Sequence, residues 1–474
     1  MPQLDTLAGS TVRHRGDDTR QVGPGTGRHL RHHDALPSAA RVTPSSRMLC
    51  LPLLIALTWM LGTFGAFWFT RLAARVPDPG KLCLFVLGAT AMFAVGYLFR
   101  IHAARPRQVA HTEPSEQLRR VSRLIFWGAC YYAAVGLARL AEFGASGPES
   151  LVTSIRDPAT GYLNKMEVYQ LRTEQQSPVI ITLALLGALG TVLAPLMVIY
   201  WRKISLRLRV AGIAGMALYA LFYLYIGTMK GIGDLAVMSA AGLLIMAAGR
   251  ARRQRRVNRK REMAIAATIF VLVGGYMLHA QTDRATQFES PDRPAPNQTL
   301  ERLVGREAAG GLTSAVSYPT QGYLGLAYNL ETPFEWSDGL GSSPALTNLL
   351  ERTLQVAPEK HLAYPHRTEE LSGWPALMYW ATIYPWLASD LTFPGTVLFM
   401  GLLGWFFAHC WLRAIYHRRL LAMLIFGQLC ILIAYIPANN QLGLASESVA
   451  GVTTLLILYA ATALGRRSRS ALTG

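Results

Sequence analysis

Apolar runs of about 17 to 25 residues recur along this chain, and the short loops between them collect Lys and Arg in every second position. A run of that length crosses roughly 30 Å of hydrocarbon as a helix rising about 1.5 Å per residue. The pattern specifies an all-α polytopic membrane protein with about ten transmembrane helices. We place them at 48–69, 81–99, 122–143, 178–200, 210–228, 231–248, 263–278, from 374 or 391 to 411, 420–436 and 449–464.

The net charge of +18 does not indicate a nucleic-acid partner, because the basic residues sit between apolar runs and on one side only. The clusters at 100–123, 202–209, 250–261, 413–419 and 466–469 all share the side of the basic N-terminal segment. Cytoplasmic loops of membrane proteins carry that excess, so both termini are expected in the cytoplasm, in agreement with an even span count. The opposite side receives 72–80, 144–177, the hinge at 227–233, one large extracytoplasmic loop at 279–373, and 437–447.

Residues 1–47 are rich in Arg, His, Gly, Pro and Ser and poor in groups that form a core, so a disordered basic tail is expected there. The apolar run from Met48 leads into further spans and is expected to be a transmembrane helix, not a cleavable signal. Spans one to seven then occupy 48–278, spans eight to ten 374–465, and a short tail 466–474. Cys50, Cys83, Cys130, Cys410 and Cys430 all lie in or beside apolar runs, where free Cys behaves as a small hydrophobe. No metal site or redox motif is spelled, and no cofactor is expected.

Chemistry is sought where ionisable groups meet the membrane, since their cost there demands a reason. Lys230 and Asp234 sit in Gly227-Thr228-Met229-Lys230-Gly231-Ile232-Gly233-Asp234 between two spans. Two readings stand open: a broken helix presenting Lys230 to an anionic head group, or a plain hairpin with a snorkelling lysine and a capping aspartate. Arg139 and Glu142 can meet on one helix face, either as an intrahelical pair or with the arginine fork turned to phosphate. In the large loop, Glu331 and Glu335 are spaced one helical turn apart, with Phe334 and Trp336 beside them to stack on sugar rings. Paired carboxylates suit general acid or base work on a hydroxyl, although carboxylates in a wet loop also occur simply solvated. His361, His366 and Arg367 form a second cluster, in which a histidine takes a proton and an arginine holds pyrophosphate, or all three merely face the interface.

Ser343 and Pro344 supply an N-cap and first-turn proline for a short amphipathic helix with Leu346, Leu349, Leu350 and Leu354 on one face. Its partner is the rest of the loop or the bilayer surface. Trp374, Trp380, Tyr384 and Trp386 read as an interfacial aromatic belt or as the lining of a sugar site. Asn297-Gln298-Thr299 matches a glycosylation acceptor, a pattern too common to carry weight.

The glycine-rich hinge, the segments Tyr318-Pro319-Thr320-Gln321-Gly322-Tyr323-Leu324-Gly325-Leu326 and Pro333-Phe334-Glu335-Trp336-Ser337-Asp338-Gly339-Leu340-Gly341, and Trp380-Ala381-Thr382-Ile383-Tyr384-Pro385-Trp386 together resemble the Wzy-type O-antigen polymerases, the oligosaccharide repeat unit polymerases. The likeness covers about 48–465 by layout and only those segments by sequence. It implies a metal-independent, inverting glycosyltransferase of the GT-C class at the outer face of the bacterial inner membrane. Its partners would be undecaprenyl-pyrophosphate-linked oligosaccharides, membrane lipid and a regulator of chain length. On that resemblance Arg139, Lys230 and Arg367 are the candidates to bind pyrophosphate, and Glu331, Glu335, His361 and His366 compete for the base. Tyr318, Gln321, Tyr323 and Trp336 are the candidates for the glycan. The alternatives are an O-antigen ligase, which passes the glycan to another acceptor, and a flippase, which transports lipid-linked oligosaccharide.

Overall fold

Backbone polar groups in lipid have no water to bond, so each helix must satisfy its own. In a computed structural model the residues described are 46–104, 115–145, 147–171, 178–252, 271, 274–283, 298–354, 362–376 and 378–472, and every regular element among them is helical. Seven helices are long and apolar enough to cross a membrane: α1 (Ser46–Phe67), α2 (Pro79–His102), α3 (Ser115–Glu142), α8 (Leu206–Tyr225), α9 (Lys230–Arg252), α15 (Tyr384–His417) and α18 (Ser446–Leu472). Before α8, α6 (Pro178–Leu185) and α7 (Leu193–Tyr200) join through a short 3-10 turn into a path bent by 55°. Short helices α4 (Pro148–Arg156) and α5 (Pro158–Leu171) precede that bent path. The ninth expected span is α16 (Leu420–Tyr435), apolar but of only 16 residues. The seventh expected span, 263–278, lies mostly outside the described residues, as does the N-terminal tail. The chain is thus a polytopic helical membrane protein, with seven candidate spans among the described residues, or eight if the bent pair is one.

Local chemistry sets the helix ends. Asp78 caps α2 by accepting from the Lys81 amide at 2.9 Å, with Pro79 in the first turn. Within α15 the helix breaks at Thr392, whose φ of 65° is left-handed. The Thr392 hydroxyl accepts from the Gly395 amide at 3.3 Å and Pro394 follows, so the threonine caps a new helix. Of the two proposed starts for this span, the one at 391 therefore falls beside the break.

With lipid on one side, helices associate through close packing and not through expulsion of water. Gly96 on α2 lies directly against the Gly401 carbonyl on α15, and Gly404 against the Phe93 carbonyl, so a side chain at Gly96 or Gly404 would separate these backbones. Polar groups bridge elsewhere: Trp59 Nε1 donates to the Ala434 carbonyl at 2.9 Å, and the Tyr97 hydroxyl to that of Leu49 at 2.7 Å. Leu84, Phe99 and Leu402 face outward, as lipid-facing residues do.

The interval 279–373 differs from the polar loop expected of it. It holds α10 (Gln298–Val304), α11 (Arg306–Thr320), α12 (Gly322–Glu331), α13 (Pro344–Leu354) and α14 (Tyr364–Ser372). Nearly all of α12 is buried against α2. Gly322 and Gly325 let it approach the Pro437 and Trp380 carbonyls more closely than any side chain would permit. The amphipathic helix α13 begins where expected, with the Ser343 hydroxyl accepting from the Leu346 amide at 3.3 Å. It packs on α17 (Gln441–Leu444) and the start of α18, so protein, not only lipid, covers it.

The aromatic belt is also corrected. Trp374, Tyr384 and Trp386 are buried in protein, with the Trp374 indole donating to the Trp380 carbonyl at 3.1 Å and Tyr384 meeting Phe85 edge-on.

Candidate functional site

Arg139 ends α3, Lys230 opens α9 and Glu447 opens α18, so the alternating path of the chain brings all three to the end opposite the arginine-rich loops. The hinge before Lys230 is a compact helix stop. Gly227 adopts φ 58°, its amide donates to the Leu224 carbonyl at 3.0 Å, and the Thr228 amide reaches that of Tyr223 at 2.9 Å. These are the paired bonds of a Schellman motif, which a left-handed glycine allows. The backbone reading is therefore the hairpin. Asp234, however, is not a cap: it stands one turn inside α9, on the same face as Lys230. Gly231 leaves room for the Tyr223 ring against this first turn.

Charges gather around that turn. Glu447 lies within electrostatic reach of both Lys230 and Arg139. Arg139 also donates through Nη1 to Glu142 at 2.9 Å, with the two side chains only 20% and 10% exposed. Asp234 faces Lys230, the Tyr435 hydroxyl and Gln441, yet its Oδ1 and the Gln441 Nε2 are buried without a hydrogen-bond partner of good geometry among the described residues. Tyr131 and Tyr223 stand in the field of Glu447. Tyr132 donates to the Gly190 carbonyl at 2.7 Å and so satisfies backbone freed where α6 bends into α7. The start of α18 rests on the same bend, because Gly187 lies directly against the Glu447 carbonyl.

The segment after α12 covers the neighbouring turn. Asn440 Nδ2 donates to the Ser342 carbonyl at 2.6 Å, and the Ser343 hydroxyl to that of Gly443 at 2.9 Å. Asp390 accepts from the Ser337 hydroxyl and from the Gly341 and Ser342 amides, which holds the tight turn in which Asp338 and Gly339 have positive φ. Tyr318 acts on Tyr435, itself beside Asp234, and meets Trp380 edge-on at 5.5 Å.

The remaining expected site residues disperse. Helix α12 ends at Glu331, so Glu331 and Glu335 do not share a helical turn. Glu331 instead meets Lys81 at 3.1 Å in a pair about half exposed, of a kind that stabilises little. Glu335 pairs with Arg367 at 2.7 Å. Arg367 is buried and its Nη1 donates to the Pro333 carbonyl at 2.7 Å, so it ties down the segment after α12. Beside it, burial pushes the Tyr364 hydroxyl above its usual range, against the opposing pull of Arg367. His366 touches the Trp386 ring edge-on at 5.9 Å. Tyr323 is buried with its hydroxyl 3.0 Å from that of Thr63, a core placement that offers a glycan nothing in this conformation. Gln321 joins α11 to α12, and Trp336 is exposed. His361 lies outside the described residues.

The structure thus unites two of the three proposed phosphate-binding cations, Arg139 and Lys230, and separates Arg367 into a pairing of its own. Glu447, Tyr435 and Gln441 escaped sequence reasoning. Their only signal was position, since an acidic residue at the mouth of an apolar run is costly unless paired. Among the described residues no group of three or more His, Cys, Asp or Glu is placed to hold a metal ion. No protein-family model, curated protein or solved structure matches the chain.

Proposed function

We propose that this chain is an integral-membrane glycosyltransferase that polymerises oligosaccharide repeat units carried on polyprenyl pyrophosphate, working at the membrane face opposite its arginine-rich loops. The observation that carries this reading is the convergence of Arg139 and Lys230 on one carboxylate, Glu447, beside a second carboxylate, Asp234, whose Oδ1 has no partner of good geometry among the described residues. Glycosyl transfer from a lipid pyrophosphate needs cations for the leaving group and a base for the attacking hydroxyl. In this reading, which the positive-inside pattern supports, both termini are cytoplasmic and the cluster faces the outer side of the bacterial inner membrane, with helices α11 to α14 on that side. Up to ten spans fit that layout.

In this reading Asp234 accepts the proton of the acceptor sugar hydroxyl, while Arg139 and Lys230 neutralise the departing pyrophosphate. Tyr318, Trp336 and Trp380 supply aromatic surface toward the glycans.

A transporter of lipid-linked oligosaccharide is the second reading, and one observation favours it: the charges lie between helices of the bundle and not in the layer above it. One experiment separates the two. A strain lacking the gene is restored with the intact gene or with Asp234→Asn, and its surface polysaccharide and lipid-linked units are resolved on gels. A polymerase predicts single outward-facing repeat units in the deletion strain and loss of chain growth by about 10²–10⁴-fold with Asp234→Asn. Units trapped on the cytoplasmic side would establish the transporter. An unchanged ladder in the deletion strain would remove both.

A further inference from the structure

A cavity of about 160 Å³ opens at the arginine-rich end of the bundle, between the last turns of α2 and α15. Arg100, Arg413, Tyr416 and His417 line it, with small apolar residues between them. It lies at the opposite end of the helices from the Lys230 and Glu447 cluster, and nothing in the proposed transfer reaction uses it.

Among the described residues that line this cavity the charge is of one sign. Arg100 and Arg413 act on each other, and His409 beside them feels Arg413, Arg100 and Arg419. Among the described residues neither Arg100 nor Arg413 forms an ion pair with a carboxylate. Two guanidinium groups drawn together at partly buried positions repel unless an anion joins them.

The way Arg100 is held points the same way. Its Nε donates to His409 Nδ1 at 3.3 Å, and since arginine only donates, Nδ1 must accept. The imidazole is thereby kept neutral with its proton on Nε2, which faces the Tyr459 hydroxyl at 2.7 Å. Stacking on Trp405 at 5.3 Å and 18° fixes the ring plane. Arg100 is therefore oriented through Nε, and its two terminal nitrogens remain to donate in the paired geometry that suits phosphate oxygens.

From these observations we propose that the cavity lined by Arg100 and Arg413 is a phosphate-binding site, taking either the phosphodiester of an anionic lipid head group or free phosphate. Its volume is well below the roughly 300–1,000 Å³ of sites that enclose a drug-sized ligand, so it admits a phosphate group and not a nucleotide or a glycan. His409 is a positioning residue and does not touch the anion.

The test uses the purified full chain. Native mass spectrometry reads retention of phosphatidylglycerol against phosphatidylcholine, and thermal unfolding reads the effect of inorganic phosphate against chloride at equal ionic strength. Preferential retention of phosphatidylglycerol assigns the lipid as source; a melting point raised by inorganic phosphate without that retention assigns soluble phosphate. In either case Arg413→Gln should weaken binding about tenfold, equivalent to about 1.4 kcal/mol. His417→Glu, which puts a carboxylate into the cavity and leaves both arginines in place, should do the same and serves if Arg413→Gln fails to fold. Binding of neither probe, or equal binding by the intact protein and both variants, would overturn the proposal.

Discussion

Replacing Glu447 by Gln removes the carboxylate on which Lys230 and Arg139 converge. Arg139 keeps Glu142 at 2.9 Å, so the larger share of the loss falls on Lys230, which retains only the field of Asp234 among these carboxylates. Breaking a fully buried ion pair costs about 3–5 kcal/mol, but Glu447 is only partly buried, which places the expected loss near 2 kcal/mol. Lys230→Met breaks the same attraction from the other side. Combining the two changes removes both ends of this one attraction, so the double variant should lose less stability than the two single losses added together. The expected coupling energy is about 1–2 kcal/mol, within the range for residues in one charge network. Reversible unfolding in mixed detergent micelles measures all four corners of the cycle. A coupling below about 0.5 kcal/mol, the scatter found for independent sites, would refute the convergence itself and with it the assembly of the site.

Three further outcomes follow from the packing. Arg367→Met should open the segment 333–343 to limited proteolysis, because it removes the bond to the Pro333 carbonyl. Glu335→Gln should leave cleavage almost unchanged, since that carboxylate is 57% exposed and screened by water. Gly231→Ala would put a methyl group into the space of the Tyr223 ring and should lower stability by about 1–3 kcal/mol in the same micelle assay; an unaltered unfolding midpoint would show that the ring moves aside freely.

What the sequence made legible was the part of the fold set by local rules. Apolar length announced α1, α2, α3, α8, α9 and α18 because crossing hydrocarbon is a demand on each segment alone. Ser343 and Pro344 announced α13 for the same reason, since a cap is a matter of adjacent residues. The interval 279–373 misled because its composition is polar on average while one segment within it, α12, is buried against the bundle. Tyr323 reads as a glycan platform in a polar loop and proves to be core once Gly322 and Gly325 bring its helix against Trp380 and Pro437. The candidate site was half legible: Arg139, Lys230 and Asp234 stood out as costly charges, whereas Glu447 is separated from Lys230 along the chain by more than two hundred residues and meets it only through the turn of α18 onto the bent α6–α7 path.

The charge balance of the cluster constrains any mechanism built on it. Among the described residues Arg139 and Lys230, fully ionised, oppose Glu142, Asp234 and Glu447, so these five groups together are slightly negative. The negative charge of a lipid pyrophosphate there, largest as it departs, would meet repulsion from these carboxylates unless one of them took up a proton or turned away. Asp234 is the group suited to take it, because its Oδ1 is buried and lacks a partner of good geometry among the described residues. In a transferase that proton comes from the acceptor hydroxyl as the new glycosidic bond forms, so base catalysis and charge compensation of the leaving group become one event. In a transporter it comes from solvent, and binding of the lipid-linked anion is coupled to proton uptake instead. Arg139 and Lys230 serve either reading equally, and the source of the proton on Asp234 is the feature by which the two differ.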